Sequence, residues 1–387
     1  MRARSLLVAT SVALAVSTVA LADDGSVENG AADGSPLILL DHGPAARSTR
    51  RSWSPVEPEE LTVAFTGDTL IHTSVSLAAR QVDGYDFRPM FESVRHLIMR
   101  ADLAICHLEV PLSPTSSGLT SYPRFNAPAE IARALVWAGY DGCSTASNHS
   151  IDKGVAGISG TLSVLEEAGL GQAGMAADPG GGWEAAMYQV DGIQIANISA
   201  TYWLNGLAMP RDQEHLVQLL DIDQLMLVAA RARGVGADLI VISMHCCTEY
   251  RMQPTPAQVE TAHTLIESEF VDLVITHHSH IVGPVERVGG EFIIHGLGNF
   301  LSGMHSDPRT SDGLILFANA GKVNGRWRFT SIDVTPTNVT SWSWHIEQAS
   351  PGSASFERTM SVLTGMGAPI GLYEGRGLSD WQLALIE

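Results

Sequence analysis

The sequence predicts a layered α/β domain, and three observations carry that prediction. Short apolar runs alternate with helix-patterned segments in the order β-α-β-α-β-α from Leu61 to Ala168, a second α/β run spans Ala237 to Ile275, and the rhythm turns hairpin-like after Gly283. Leu61 to Gly67 reads as the first strand, Phe87 to Met99 as a helix and Asp102 to Cys106 as the next strand. Ala129 to Ala138 places Ile131, Leu135 and Ala138 on one helical face; Tyr140 to Ala146 is extended, and Gly154 to Ala168 is helical.

Asp191 to Ala200 reads as a hairpin arm, Leu216 to Arg233 as a helix and Ala237 to Ser243 as a buried strand. Pro256 to Glu269 carries Val259, Ala262, Leu265 and Ile266 at helical spacing, and Val271 to Ile275 is another strand. Turns at Gly289-Gly290 and Lys322 to Gly325 divide an antiparallel region that runs to about Val334. The domain is therefore expected over residues 61–335. A C-terminal extension, 336–387, is expected to dock on it, with Ser379 to Ile386 as a strand or helix.

The 387 residues are 45% hydrophobic and 17% charged, a globular composition that excludes disordered, collagen-like and coiled-coil chains. Asp and Glu number 42 against 23 Lys and Arg, for a net charge of -19. So acidic a chain offers no general nucleic-acid surface and no basic face for anionic lipid. An anionic substrate then needs a local positive site, which a bound metal supplies.

Arg2 and Arg4 precede an apolar run from Leu6 to Leu21 that ends in Ala20-Leu21-Ala22, followed by Asp23-Asp24. This reads as a secretory signal peptide, residues 1–22, cut after Ala22, and places the protein outside the cytoplasm. The alternative is a retained N-terminal membrane anchor, but the run is short and is diluted by Thr10, Ser11, Ser17 and Thr18. Residues 23–60, rich in Gly, Ala, Ser, Pro and acids, read as a flexible linker. The cysteines Cys106, Cys143, Cys246 and Cys247 are too sparse for a disulfide framework. Export permits a Cys106–Cys143 bridge, although small buried hydrophobes are the preferred reading, and Cys246 and Cys247 are not expected to bond to each other.

Ligands of open α/β sheets gather beyond the carboxyl ends of the strands. Here one strand after another ends in metal-ligand chemistry. The first ends in Gly67-Asp68, with His72 four residues on; the next in His107-Leu-Glu109; the third in Ser147-Asn148-His149. Later strands end in Met244-His245 and in Thr276-His277-His278-Ser279-His280. A lone Asp or Asn there is ordinary turn chemistry; five strands doing so together point to a site. His278 with His280, and His107 with Glu109, are two apart and in extended chain face one way, which turns His277 away or outward into a supporting role. Carboxylate, amide oxygen and imidazole together suit Mn, Fe, Zn or Co rather than Ca. The ligands are too many for one tetrahedral ion, and two divalent ions bridged by a carboxylate are the economical arrangement. A closed structural zinc site is disfavoured, because such sites use four tight ligands, often Cys.

Gly67-Asp68, Leu108-Glu109, Asn148-His149-Ser-Ile-Asp152-Lys-Gly154, His245 with Glu249-Tyr250, His277-His278-Ser-His280 and Leu297-Gly298-Asn299-Phe300 together resemble the CapA family. This is the poly-γ-glutamate capsule synthesis group of the calcineurin-like metallophosphoesterase superfamily, and the resemblance covers about Leu61 to Phe317. It implies a four-layer α/β/β/α sandwich with a dinuclear metal site. By position, Asp68, Glu109, Asn148, His245, His278 and His280 resemble the ligands, with Glu109 as the bridging acid. His149 resembles the general acid of the superfamily, and Glu249 and Tyr250 fall where a pocket is shaped. Departures are His107 for Asn, Ser147 for the first of two Asn, Thr276 and Ser279 around the histidines, and Cys246-Cys247 for a Trp-Gly, which removes an aromatic wall. The superfamily's Asp-x-His opening is absent, and His72 either substitutes for its His or is an exposed turn residue, while His107 is either an added ligand or a hydrogen-bond partner. The implied activity is phosphoester hydrolysis on a phosphoester substrate. The rival is non-hydrolytic binding of an anionic polymer alongside envelope or capsule assembly proteins.

Overall fold

The computed structural model describes residues 60–179 and 183–373. The expected signal peptide, the linker up to Glu59 and the segment Ser379 to Ile386 lie outside the described residues. The chain opens with β1 (Glu60–Leu70), α1 (Thr73–Ala78), a two-residue ribbon of β2 (Arg80–Gln81) and β3 (Gly84–Tyr85), and α2 (Arg88–Ile98). It continues through β4 (Leu103–Leu108), the short pair β5 (Leu112–Ser113) and β6 (Ala127–Pro128), α3 (Glu130–Ala138), β7 (Gly142–Ser144), α4 (Gly154–Ala168) and β8 (Gly171–Ala173). The second half carries β9 (Ala186–Val190), β10 (Ile193–Thr201), α5 (Ile222–Gly234), β11 (Leu239–His245), α6 (Pro256–Ile266) and β12 (Leu273–His277). The chain then runs through β13 (Val285–Val288), β14 (Glu291–Ile294), β15 (Asn299–Ser302), β16 (Asp312–Val323), β17 (Arg326–Val339), β18 (Ile346–Gln348), α7 (Ala354–Leu363) and β19 (Ile370–Leu372).

These strands build two sheets. One has the order β18-β17-β16-β1-β4-β7-β8, with β15 pairing β1 and β19 pairing β17; the other runs β13-β14-β12-β11-β10-β9. In β1 and β4 the alternate residues Leu61, Val63, Phe65, Leu103 and Ile105 meet Ile195, Val241, Leu273 and Ile275 of the other sheet in one apolar layer. The intervening Ala64, Ala104 and Cys106 turn outward under Phe91, Val94, Leu135 and Leu165 of α2, α3 and α4. On the far side Ala196, Ile240 and Ile242 pack under Leu225, Val228, Ala262 and Leu265 of α5 and α6. The result is a four-layer α/β/β/α sandwich. Burial on both faces explains why these strands read as nearly continuous apolar runs, and each fully buried Leu, Ile or Phe contributes about 1.5–3 kcal/mol.

Three expectations need correction. The helix expected from Leu216 starts at Ile222, because Asp221 caps it, its side chain accepting from the Gln224 N–H at 3.1 Å. Cys106 and Cys143 are partners in register on the adjacent parallel strands β4 and β7 and form a disulfide. Cys246 and Cys247 are also disulfide-bonded, across a cis peptide that brings their Cα atoms to 3.1 Å. The segment after β17 adds β18 and β19 to the first sheet, and Arg358 of α7 donates to the Asp312 carboxylate at 2.7 and 3.0 Å.

Candidate functional site

The carboxyl ends of β1, β4, β7, β11 and β12 meet at one edge shared by both sheets. Asp68 lies late in β1, in register with His107 of β4 and Asn299 of β15. Its N–H donates to the Gly298 carbonyl at 2.9 Å, and a Cβ on the preceding Gly67 would collide with that same carbonyl. Only glycine lets these two segments approach so closely. Glu109 follows β4, and its carbonyl accepts from Ser147 Oγ at 2.6 Å, while the His149 N–H donates to that hydroxyl at 3.0 Å. The serine that departs from the family pattern thus ties the Asn148-His149 turn to the Glu109 backbone.

His245 ends β11, paired with His277 of β12. His278 and His280 do converge on the site, but not through strand alternation: both have left-handed backbone, with φ of 80° and 57°. Such conformations in non-glycine residues cost about 1–3 kcal/mol each and cluster at functional sites. His277 does not point outward. It is buried, its Nδ1 approaches Asp68 Oδ1 at 3.3 Å, and its ring stacks on His107 at 3.9 Å.

Asp68, Glu109 and His280 offer ligand atoms within 4.8 Å of one another, and so do Glu109, His245 and His278. Glu109 belongs to both groups. Asn148 Oδ1 lies 2.9 Å from His245 Nε2, joining the second group. Glu109 Oε1 is 3.9 Å from both His245 Nε2 and His280 Nε2, too far for a hydrogen bond yet close enough for one ion to touch carboxylate and imidazole together. None of the four carboxylate oxygens of Asp68 and Glu109, all buried, makes a hydrogen bond among the described residues, and neither does His278 Nδ1. Buried carboxylates without partners are costly unless a cation satisfies them, so this donor set fits divalent metal. Two further groups, Glu249 with His278 and His280 and Asp68 with His107 and His245, meet the same distance criterion.

The electrostatics match. Burial pushes the Glu109 carboxyl up to about 8, against the pull of His280. Burial also raises Asp68, but the contacts with His277 and His280 outweigh it and hold that carboxyl well below its ordinary range. Burial and neighbouring histidines keep His245 and His107 well below the usual imidazole value and bring His278 to about 4. They are neutral, as ligands must be. His280 is desolvated too, but Glu109, Asp68 and Glu249 around it hold its proton well above the ordinary value. That contrast is what a cation in its place would resolve.

His107 uses both ring nitrogens on protein groups, Nδ1 with Ser144 Oγ at 2.8 Å and Nε2 with His245 Nδ1 at 2.9 Å. It orients His245. His72 joins none of the metal-competent groups: its Nδ1 accepts from the Gly303 N–H at 3.1 Å and its ring packs edge-on to Phe125. His149 Nδ1 lies 2.7 Å from Asp152 Oδ2, which also accepts from the Phe125 N–H. Three roles were not assigned from sequence. Asp152 holds the His149 ring, Asn299 holds His280 Nδ1 at 3.1 Å, and Asn205 reaches from a separate loop to both Asn148 and His149. The motif spacing flagged Asp152 and Asn299 without a function; nothing local marks Asn205. Asn148, His149, Asp152, Asn205 and His278 border a cavity of about 750 Å³ that also includes Arg124, Glu249 and Tyr250.

A family model of the bacterial capsule synthesis protein PGA_cap matches residues 62–304 and so spans every one of these groups. The chain belongs to the PGA_cap family. Among relatives, this PGA_cap chain is 23% identical over 291 residues to the capsule biosynthesis protein CapA of Bacillus anthracis, covering 73% of this chain and 68% of that protein. It is 23% identical over 285 residues to the PGA biosynthesis protein CapA of Bacillus subtilis (strain 168), covering 72% and 74%. Among solved structures, the calcineurin-like phosphoesterase YfkN of Bacillus subtilis is similar with a TM-score of 0.45 at 11% identity, over 78% of this chain and 96% of that one.

Proposed function

We propose that this PGA_cap protein is an exported phosphoester hydrolase with a dinuclear divalent-metal site. The observation that carries the reading is Glu109, a buried carboxylate without hydrogen bonds that is common to two ligand groups. Asp68 and His280 would hold one ion, Asn148, His245 and His278 the other, with Glu109 between them; Mn, Fe, Zn or Co suits the donor set. Divalent ions in such a site supply positive charge for a phosphoryl group and a hydroxide nucleophile at neutral pH.

The chain's own residues supply the rest. Asp152 accepts from Nδ1–H of His149, which fixes the tautomer and leaves Nε2 to carry the proton delivered to the leaving oxygen. Phe125, edge-on to His149 at 4.6 Å, packs against the ring. Arg124 faces the cavity as a guanidinium for a phosphoryl oxygen.

The test combines elemental analysis of the purified protein with turnover of p-nitrophenyl phosphate and bis-p-nitrophenyl phosphate by wild type and His149→Ala. About two ions per chain, with turnover that falls about 10²–10⁴-fold in the variant while metal is retained, is the expected result. Stoichiometric metal without turnover of either ester would favour the second reading, a metal-containing accessory that grips an anionic capsule polymer beside envelope assembly proteins. The names of the relatives, capsule and PGA biosynthesis proteins, favour that reading. Its mark would be chelator-sensitive co-sedimentation with poly-γ-glutamate.

A further inference from the structure

The cavity beside the ligand groups is lined on its outer side by aromatic rings that the folded core does not use. Tyr202 is 58% exposed, Trp203 52% and Tyr250 41%, in a molecule whose other large aromatics are mostly interior. Exposed aromatic rings cost hydrophobic free energy unless something covers them, and several around one cleft mark a binding surface.

The backbone that carries these rings is bonded to the site. The Tyr202 N–H donates to the His245 carbonyl at 3.0 Å, and Thr201 Oγ1 donates to the Trp203 carbonyl at 3.1 Å. The root of the aromatic pair is thus bonded to the backbone of a residue in the ligand set. Leu204, buried just beyond it, anchors the loop in a small apolar cluster with Leu216 and Val217. Tyr250, which lines the same cleft, has left-handed backbone at φ 60°, its N–H donating to the Ser279 carbonyl at 2.8 Å, and its ring stands 6.0 Å from that of His280. A bulky residue keeps such a conformation only where its surroundings impose it.

The lining of the cleft distinguishes between ligand classes. Apart from histidine, Arg124 is the sole cationic side chain lining it among the described residues, and Glu249 presents a carboxylate there. A γ-linked glutamate chain brings one carboxylate per residue and no ring, so it would meet repulsion from Glu249 and leave the aromatic faces uncovered. A single phosphate joined to a neutral ring fits both halves.

We infer that the pocket selects phosphoesters whose alcohol carries a flat, uncharged ring face, stacked on Tyr202, Trp203 and Tyr250 while the phosphate lies at the ligand groups. Sugar phosphates and nucleotides share this chemistry. The inference rests on the phosphoester reading above and adds the substrate class.

The experiment measures Kd by calorimetry and turnover in parallel on manganese-loaded protein, with adenosine 5′-monophosphate, glucose 1-phosphate and the open-chain glycerol 2-phosphate. Wild type is expected to bind at least one ring ester about tenfold more tightly than glycerol 2-phosphate, since one stacked ring is worth about a decade in affinity. That ratio is expected to collapse in Trp203→Ala and to fall in Tyr202→Phe less than in Tyr202→Ala; melting curves establish that each variant is folded. Preference for the nucleotide alone marks a base, for glucose 1-phosphate alone a sugar, and for both a general ring platform; each supports the inference. Equal affinity for all three esters, or a ratio unchanged in folded Trp203→Ala, overturns it. Turnover without ring preference leaves hydrolysis standing and removes this inference. Ring preference in Kd without turnover of any ester removes hydrolysis and leaves the ring platform standing.

Discussion

At the scale of single residues, the site depends on groups that are costly for the fold. Glu109 is buried without hydrogen bonds, so its carboxylate destabilises the chain unless a cation meets it, whereas the Asp68 carboxylate is met by the imidazoles of His277 and His280. Glu109→Gln is expected to lose stoichiometric metal from both ligand groups, whereas Asn148→Ala weakens only the group of His245 and His278; elemental analysis after dialysis distinguishes the two. Asp152→Asn retains the shape beside His149 but no longer favours its Nδ1–H tautomer, and is expected to lower turnover about 10²–10⁴-fold with metal content preserved. Motif spacing singled out the candidate ligands, because each stands directly beyond an apolar run. It misjudged His277, whose burial against Asp68 and His107 depends on a neighbouring strand and not on its own alternation.

At the scale of elements, three cross-links tie the layers together, one of them between strands that present the site. The Cys106–Cys143 disulfide joins β4 to β7 across a separation of 37 residues, and a loop of that length is worth on the order of 3–4 kcal/mol. The Cys106→Ala, Cys143→Ala double variant is expected to lose about that much in chemical denaturation. Neither cysteine's neighbourhood in sequence announces the bridge, since the pairing arises from the parallel register of β4 with β7. The second link is Asp312, buried and bonded by Arg358, Ser355 and Asn338, which docks α7 on β16 and β17. The third is Glu286 of β13, bonded by His263 of α6 at 2.9 Å and by His295 at 3.1 Å.

That third cluster gives a signed pH dependence. Burial lowers His295 below its ordinary value, so on acidification the unfolded chain takes up this proton first, near pH 6.5, and stability falls with decreasing pH from there. Burial raises Glu286, but its bonds to His295 and His263 prevail and lower it; its contribution is complete above about pH 4.5 and is lost as pH falls through the depressed folded value. The melting temperature is expected to decline below about pH 6.5 and again below about pH 4.5. Glu286→Gln should show a shallower second decline.

At the scale of the whole molecule, the ligands come from two sheets that share one apolar layer, Asp68 and Glu109 from one and His245, His278 and His280 from the other. An ion held by both groups therefore bridges the sandwich. Adding manganese to chelator-treated protein is expected to raise the melting temperature in proportion to RT ln(1 + [L]/Kd), about 2.7 kcal/mol at a hundredfold excess over Kd. No such rise would remove the dinuclear centre.

The order of the chain by itself determined the layered α/β architecture and nominated Asp68, Glu109, Asn148, His149, His245, His278 and His280 as candidates, because hydrophobic period and strand-end chemistry are local and survive in one dimension. Tertiary structure alone decided that His107 orients His245 while His72 stands apart, and that Asn205, Tyr202 and Trp203 border the cleft. Those depend on distances between segments as far apart as β4 and β11. Strand register and the packing of two sheets set such distances, and no local pattern encodes them.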